Sequence, residues 1–432
     1  MPRAGADDVN RAVNAAHRAL NDPAWGGLTA TQRGRLLFRL ADLLEQAAPE
    51  LAELETRDTG KIIRETRSQI AYIAEYYRYY GGLADKLDGR YVSIDKTDTE
   101  AYQRREPIGV VAAIVPWNSQ LFLSAVKLAP ALAAGCTVVL KASEEAPAPL
   151  LGFARLVHEA GFPPGVVSIL TGFGDDCGRI LTSHPLVARI AFTGGPETAR
   201  HVVRNSANNL AYTTLELGGK SPVIVFPDAD MHSTVNALIA GIFAASGQSC
   251  VAGSRLLAHR NVIEPLLEQL KTRAQAIRIG SPQSMETEFG PLATEPTKAF
   301  EEGFYFEPTI LLCNRPDIPC LKEEFFGPVL SVLPFDDEQD AISKANDTPF
   351  GLASGIFTRD LACAKRVSAR IRAGVVWINT YRMISPLMPF GGYGLSGLGR
   401  EGGPEAMLDY TRIKSVWIRT SDDPISDPFV MR

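Results

Sequence analysis

The chain has 432 residues, 45% hydrophobic and 22% charged, with a formal net charge of -5. That length exceeds what one hydrophobic core fills, so two or more domains are expected. The acidic balance argues against a nucleic-acid partner, and no apolar run is long enough to span a bilayer.

The N-terminus, MPRAGADDVNRAV, lacks the apolar stretch of a secretory signal. The first ninety residues read as helices. In RGRLLFRLADLLEQAAPELAEL apolar residues recur at steps of three and four, the mark of an amphipathic helix. The polar, alternating stretch DGRYVSIDKTDTEAYQRRE reads next as an exposed hairpin. Buried strands are then expected over 110–115, 137–140, 166–170 and 189–192, with helices over 121–134, 150–160 and 197–209. Such alternation implies a parallel sheet covered by helices. A second block follows Glu216: a strand at 222–226, a long helical run at 231–246, a strand at 254–259 and another at 374–379. The tail TRIKSVWIRTSDDP is strand-like too.

The six cysteines are scattered with no CxxC pair, which fits reduced thiols in a cytoplasm and disfavours a zinc site or a disulfide framework. The six histidines show no HxxxH or HExxH spacing, so no metal is expected.

Several residues at strand ends stand out. TGFGDDCG holds two glycines of a dinucleotide fingerprint, but the third falls one residue late, and a plain strand-to-helix turn is the better reading. In IAFTGGPETAR a strand meets Gly194-Gly195 and a helix begins; free N–H groups and the positive dipole end there suit a pyrophosphate. A bare turn explains that motif alone equally well. Lys141 closes the strand TVVLK, with Glu144 three residues on, where a carboxylate can accept from ribose hydroxyls. Taken alone, a solvated lysine and a helix-capping glutamate is the simpler account. Cys250 follows a long apolar helix in AASGQSCVAGSR; most cysteines are small buried apolar residues. Glu216 ends a buried strand in LELGGKSP, a costly place for an acid without a partner or a task. Asn118, in VPWNSQ, also follows a buried strand. A thiol nucleophile, a carboxylate base and an amide donor make an acyl-type site if they meet, which spacing alone does not establish.

The strings VPWN, KLAPALAAGCTVVLKAS, GFPPGVVSILTGFG, FTGG, LELGGKSP, GQSC, EEFFGP and PFGGYGLSGLGRE occur in one order along the chain. In that order, and in the separation of Glu216 from Cys250, the chain resembles the aldehyde dehydrogenase superfamily from about residue 8 to the C-terminus. The resemblance implies an α/β fold. It would comprise a Rossmann-like coenzyme domain (1–89 and 107–218), an α/β catalytic domain (219–395) and a β-hairpin oligomerisation arm with the tail (90–106 and 396–432). It implies NAD(P)-dependent oxidation of an aldehyde to a carboxylic acid, with Cys250 as nucleophile, Asn118 as oxyanion donor with the Cys250 N–H, and Glu216 as the base that activates water. It further implies that Gly194 and Gly195 line the pyrophosphate, Lys141 and Glu144 hold the adenosine ribose, Glu324 holds the nicotinamide ribose, Phe326 packs beside the ring, and Trp117 lies near the phosphates. An acid at Glu144 would repel a 2′-phosphate, which favours NAD while leaving NADP possible. The expected partners are a small-molecule aldehyde and a second copy of the chain, as a homodimer or homotetramer, with no nucleic acid and no membrane.

Two departures from the family stand out. Its usual N-terminal strands upstream of PRAGADDVN are absent, and GPLATEPTKAFEEGFYFEPT is some tens of residues short, with the junction near Thr297-Lys298. Either this is a deletion, or a piece of the natural chain is missing from the sequence. The close match of KAFEEGFYFEPT to the family's text beyond the junction favours the second. The rival readings are a CoA-acylating aldehyde dehydrogenase, which the base at Glu216 disfavours, a non-catalytic relative, and a plain thiol hydrolase. For the substrate tunnel, PWNSQLFLSAV and NTYRMISPL are the expected walls. Arg382 could meet a carboxylate there, although a solvated or structural arginine is the simpler account.

Overall fold

A computed structural model describes residues 2–293, 304–425 and 429. Most of the short segment that departs from the family, 294–303, lies outside the described residues.

The helical N-terminus forms as its periodicity predicts. Thr29 caps the Ala30–Thr59 helix, its side chain accepting from the Gln32 N–H while the Gln32 amide oxygen accepts from the Thr29 N–H at 2.8 Å. The helix stops at Gly60, whose φ of 74° is the left-handed conformation that glycine adopts without steric cost. The next helix, Ile63–Leu83, packs tightly on it: a Cβ at Gly34 would come 2.4 Å from the Gly81 carbonyl oxygen. Leu37, Leu40, Leu44, Tyr77 and Tyr80 of this pair are fully buried.

Two six-stranded sheets follow. In the first, the strands lie in the order Gly397–Leu398, Tyr212–Glu216, Val187–Thr193, Val110–Ile114, Thr137–Ala142 and Val167–Thr171. All pairs are parallel except the short Gly397–Leu398 strand. From Val110–Ile114 the chain winds outward to one side and then returns to the other. The topological switch point therefore lies between Val110–Ile114 and Val187–Thr193, where crossovers leave in opposite directions and open a crevice at the strands' carboxyl ends. In the second sheet the order is Thr309–Leu312, Val329–Phe335, Arg255–His259, Pro222–Val225, Ala353–Phe357 and Val375–Ile378, all parallel. Its strands Thr309–Leu312, Val329–Phe335 and Ala353–Phe357 were not among the expected ones. A third, antiparallel sheet joins Arg90–Val92, Thr99–Pro107 and Thr411–Arg419, so the polar hairpin and the tail pair with each other.

One expected element is shorter than its pattern. The helical run at 231–246 ends as an α-helix at Ile242, and a tight turn over Ala244–Gly247 follows. Ala245 and Ser246 both have φ of 52°, a left-handed conformation that apolar periodicity cannot report.

Candidate active site

Both sheets contribute to one cavity of about 220 Å³ at the switch point. Trp117 and Asn118 enter it from the turn after Val110–Ile114, Gly194 and Gly195 from the end of Val187–Thr193, and Glu216 from the end of Tyr212–Glu216. Cys250, Glu324 and Phe326 close it from the other side. Eight of the ten residues singled out from the sequence thus share one cavity. Lys141 and Glu144 lie outside it, one strand along the same edge, where Lys141 Nζ bonds the Glu144 carboxylate at 2.9 Å and the Ala142 carbonyl at 3.0 Å. The simpler account of this pair fails here: Lys141 is buried rather than solvated, and Glu144 caps no helix, since the next one starts at Ala148.

Cys250 sits on a loop held from several directions. Both carboxylate oxygens of Glu65 accept from the Ala245 N–H at 3.0 Å. The Ser246 hydroxyl donates to the Gly290 carbonyl at 2.9 Å. The Asn118 side-chain amide donates to the Gln248 carbonyl at 3.0 Å, which ties the turn after Val110–Ile114 to this loop and leaves its second N–H for another acceptor. The Cys250 thiol is pushed up to about 12, by burial first, then by Glu324 and Glu216, against the Val251 N–H and Arg382. It is therefore a neutral thiol at pH 7 and needs a base, or a change in its surroundings, to attack.

Glu216 is buried, and neither carboxylate oxygen has a hydrogen-bond partner. It lies against Gly391, where a Cβ would come 2.6 Å from Oε1. Burial raises its pKa well above the ordinary carboxyl range; Glu401 adds to this, and Lys127 and Arg400 oppose it. Lys127 is itself buried, paired with the Glu401 carboxylate and bonded to the Thr193 hydroxyl at 2.7 Å. A buried, unpaired carboxyl with a raised pKa, facing a cavity, suits proton transfer near neutral pH. Sequence reasoning missed Lys127, although a lone lysine inside the apolar helix QLFLSAVKLAPALAA was a usable signal. Glu65 carries no such signal, since it becomes significant only through the loop it touches.

Glu324 is held by the LELGG turn, its Oε1 accepting from the Gly219 N–H at 2.9 Å. It sits directly over Gly218, where a Cβ would displace the carboxylate. Burial raises its pKa, opposed by the Gly219 N–H and Lys220. Phe326, at φ of 51°, meets the Trp117 ring edge-on with centroids 5.6 Å apart. A Cβ at Gly195 would meet nothing within 4 Å, and this residue opens the Pro196–Ser206 helix. A glycine-lined helix N-terminus at the switch point, with carboxyls beyond it, fits a dinucleotide's phosphates and ribose hydroxyls. Among the described residues no group of three or more histidine, cysteine or acidic side chains is placed to hold a metal ion.

A doubly wound sheet with a glycine-lined switch point, opening onto a thiol and a carboxyl, has the build of a nucleotide-dependent oxidoreductase. The family model for the aldehyde dehydrogenase family matches residues 1–300 and 294–416, and the chain belongs to that family. It is 61% identical to the (Z)-2-((N-methylformamido)methylene)-5-hydroxybutyrolactone dehydrogenase of Acinetobacter baylyi, over all of this chain and 93% of that one. That alignment runs over 456 residues against the 432 of this chain, so the relative carries residues that this chain lacks. The chain is also 40% identical to an aldehyde dehydrogenase of Emericella nidulans, over 96% of this chain and 88% of that one. The crystal structure of betaine aldehyde dehydrogenase from Staphylococcus aureus in complex with NAD+ superposes with a TM-score of 0.96 at 34% identity, covering all of this chain and 90% of that one. The protein is an NAD(P)-dependent aldehyde dehydrogenase, with coenzyme-binding and catalytic parts built as in those relatives.

Proposed function

We propose that Cys250 is the nucleophile, Asn118 the oxyanion donor and Glu216 the hydrolytic base. The observation that carries this reading is their convergence on one cavity beside Gly194, Gly195 and Glu324. Once its proton has passed to solvent water, Cys250 Sγ adds to the aldehyde carbon, and the charge that develops on oxygen is met by the Asn118 amide and the Cys250 N–H. A dinucleotide held by Gly194, Gly195 and Glu324 would supply the hydride acceptor. A thioester remains on Cys250. Glu216 then takes a proton from water, which attacks the thioester, releases the acid and restores the thiol. To do so its carboxylate must turn away from Gly391, and its lack of hydrogen-bond partners leaves it free to turn.

Trp117, Gly194 and Gly195 would hold the phosphates, Glu324 the nicotinamide ribose with Phe326 beside the ring, and Lys141 with Glu144 the adenosine ribose. The carboxylate at Glu144 favours NAD over NADP. The coenzyme domain is assigned to 1–89 and 107–218, the catalytic domain to 219–395, and the arm and tail to 90–106 and 396–432. The protein is placed in the cytoplasm as a homo-oligomer. No helix among the described residues is long and apolar enough to cross a membrane.

The 61% identical relative is named for a 5-hydroxybutyrolactone. Such a ring opens to an aldehyde and a carboxylate on one short chain, so a carboxylate-bearing semialdehyde is the proposed substrate class here.

The test is NADH formation, followed by absorbance, with an aldehyde in the presence and absence of CoA. Turnover without CoA supports the hydrolytic reading, and a strict need for CoA would replace it with the acylating one. Cys250→Ala should abolish NADH formation while titration still shows dinucleotide binding; near-normal turnover in that variant would sink the assignment.

A further inference from the structure

The turn between the Ala30–Thr59 and Ile63–Leu83 helices carries a buried cation. Lys61 and Glu55 are both buried, and they form an ion pair at 3.1 Å. A lysine ammonium has three N–H donors. Those of Lys61 are all engaged: with Glu55 Oε1 at 3.1 Å, with Gln69 Oε1 at 3.0 Å and with Ser119 Oγ at 2.8 Å. The shortest of the three goes to the residue after Asn118.

Ser119 stands where a helix cap belongs and makes no cap bond. It precedes the Gln120–Ala134 helix, yet its side chain accepts none of that helix's N–H groups. Thr29, Asp230, Asp337 and Asp360 each accept from the helix they precede. The Ser119 oxygen faces Lys61 instead, with Gln69 Nε2 beside it at 3.5 Å. Lys61 thus takes the place of an ordinary cap and holds the Trp117–Ser119 turn toward the helix pair.

The turn that bears Lys61 also abuts the support of the Cys250 loop. A Cβ at Gly290 would come 2.5 Å from the Gly60 carbonyl oxygen, and the Gly290 carbonyl is the acceptor of the Ser246 hydroxyl. The Ile63 N–H donates to the Pro282 carbonyl at 2.8 Å. The backbone around Lys61 is therefore set against the catalytic block, while its side chain holds the residue next to Asn118. Stability alone is a poor explanation for the ion pair. Taking two charges out of water costs about as much as their attraction returns, and apolar side chains of similar volume often serve as well. Glu55 Oε2 has no hydrogen-bond partner among the described residues, so the pair is not even fully compensated. An apolar pair could not donate to Ser119.

We propose that Lys61, neutralised by Glu55, is a positioning residue that sets the Asn118 amide through the Ser119 hydroxyl. The proposal rests on the reading of Asn118 as the oxyanion donor. Adjacent residues share a rigid peptide plane, so fixing Ser119 limits how far Asn118 can turn. A displacement of about 1 Å at a group that must meet developing charge costs up to about a hundredfold in rate.

The experiment measures the rate constant of NADH formation in a single turnover, with the protein in excess over aldehyde and NAD saturating. The aldehyde is succinic semialdehyde or butanal, whichever the wild type oxidises faster. This rate constant counts only folded molecules, so a loss of stability by itself leaves it unchanged. Lys61→Met and Ser119→Ala should each lower it by about ten- to a hundredfold, and the two together by no more than either alone, since they break one contact. Lys61→Met leaves Glu55 buried without a partner. If that variant does not fold, Glu55→Met with Lys61→Met, which buries no charge, takes its place. An unchanged rate constant in either single variant, or losses that multiply when the two are combined, would overturn the proposal and leave the role of Asn118 intact. Asn118→Ala is the control: a normal rate constant there would overturn the oxyanion reading, and the proposal with it.

Discussion

At the scale of single residues, Glu216 links burial to chemistry. Its carboxyl sits on the end of a buried strand with no hydrogen-bond partner, so the proton is favoured over the charge. As the proposed hydrolytic base it would work only when deprotonated, so turnover should rise with pH through its elevated pKa. The stability effect has the opposite sign. The folded state holds this proton more tightly than the unfolded chain, so the group's contribution falls as pH rises from the ordinary carboxyl value toward the raised one. Glu216→Gln is neutral and nearly isosteric. It should give a burst of NADH followed by slow turnover, and its melting temperature should gain on the wild type between pH 5 and pH 8. Loss of the burst along with the steady state would show that Glu216 is also needed before the thioester forms. A melting difference that does not change with pH would contradict the raised pKa. Asn118, Glu216 and Cys250 were legible from their residue types at strand and helix ends. That they meet was not, because their sequence positions span both sheets.

At the scale of elements, the loop that carries Cys250 is held in a shape its own residues do not favour. Ala245 and Ser246 are both left-handed, at roughly 1 kcal/mol or more each. Gly247 follows at φ of 74°, with the Gly327 carbonyl 2.4 Å from where a Cβ would lie. The Glu65 carboxylate, on the Ile63–Leu83 helix, holds the Ala245 N–H with both oxygens. Removing it by Glu65→Ala should cost about 1–3 kcal/mol, the usual range for a hydrogen bond to a charged group. The melting temperature should fall by several degrees and kcat should fall with it, measured by thermal unfolding and NADH formation. An unchanged melting temperature would mean that the loop keeps its shape without Glu65. The end of the 231–246 run was illegible for the same reason: apolar periodicity continues through Phe243 and Ala244, while the turn is imposed by Glu65, Gly290 and Gly327 from elsewhere in the chain.

At the scale of the whole molecule, the third sheet is incomplete by itself. Among the described residues Thr411–Arg419 pairs with Thr99–Pro107 on one side only, and its Ile413, Trp417 and Ile418 are exposed, as is Tyr91 on the far strand. A nine-residue edge strand with aromatic and branched side chains is an aggregation hazard unless a partner covers it. A second copy, placed by a two-fold axis, covers it economically. Size exclusion coupled to light scattering should therefore report a dimer or tetramer at micromolar concentration. A stable, active monomer would rule the assembly out.

The order of strands and helices around the first sheet, the polarity of the hairpin and the acids at strand ends were all determined by the sequence itself. Each depends on local periodicity, or on the cost of burying one charged residue. A buried Lys141 paired with the exposed Glu144, Lys127 against Glu401, the brace from Glu65 and the half-buried Arg382 were decided only by the tertiary structure. Each is a contact between segments tens to hundreds of residues apart, or a backbone conformation such a contact enforces, except Lys141 with Glu144. That pair is close in sequence, but only the packing of the sheet buries its lysine, while Glu144 stays exposed.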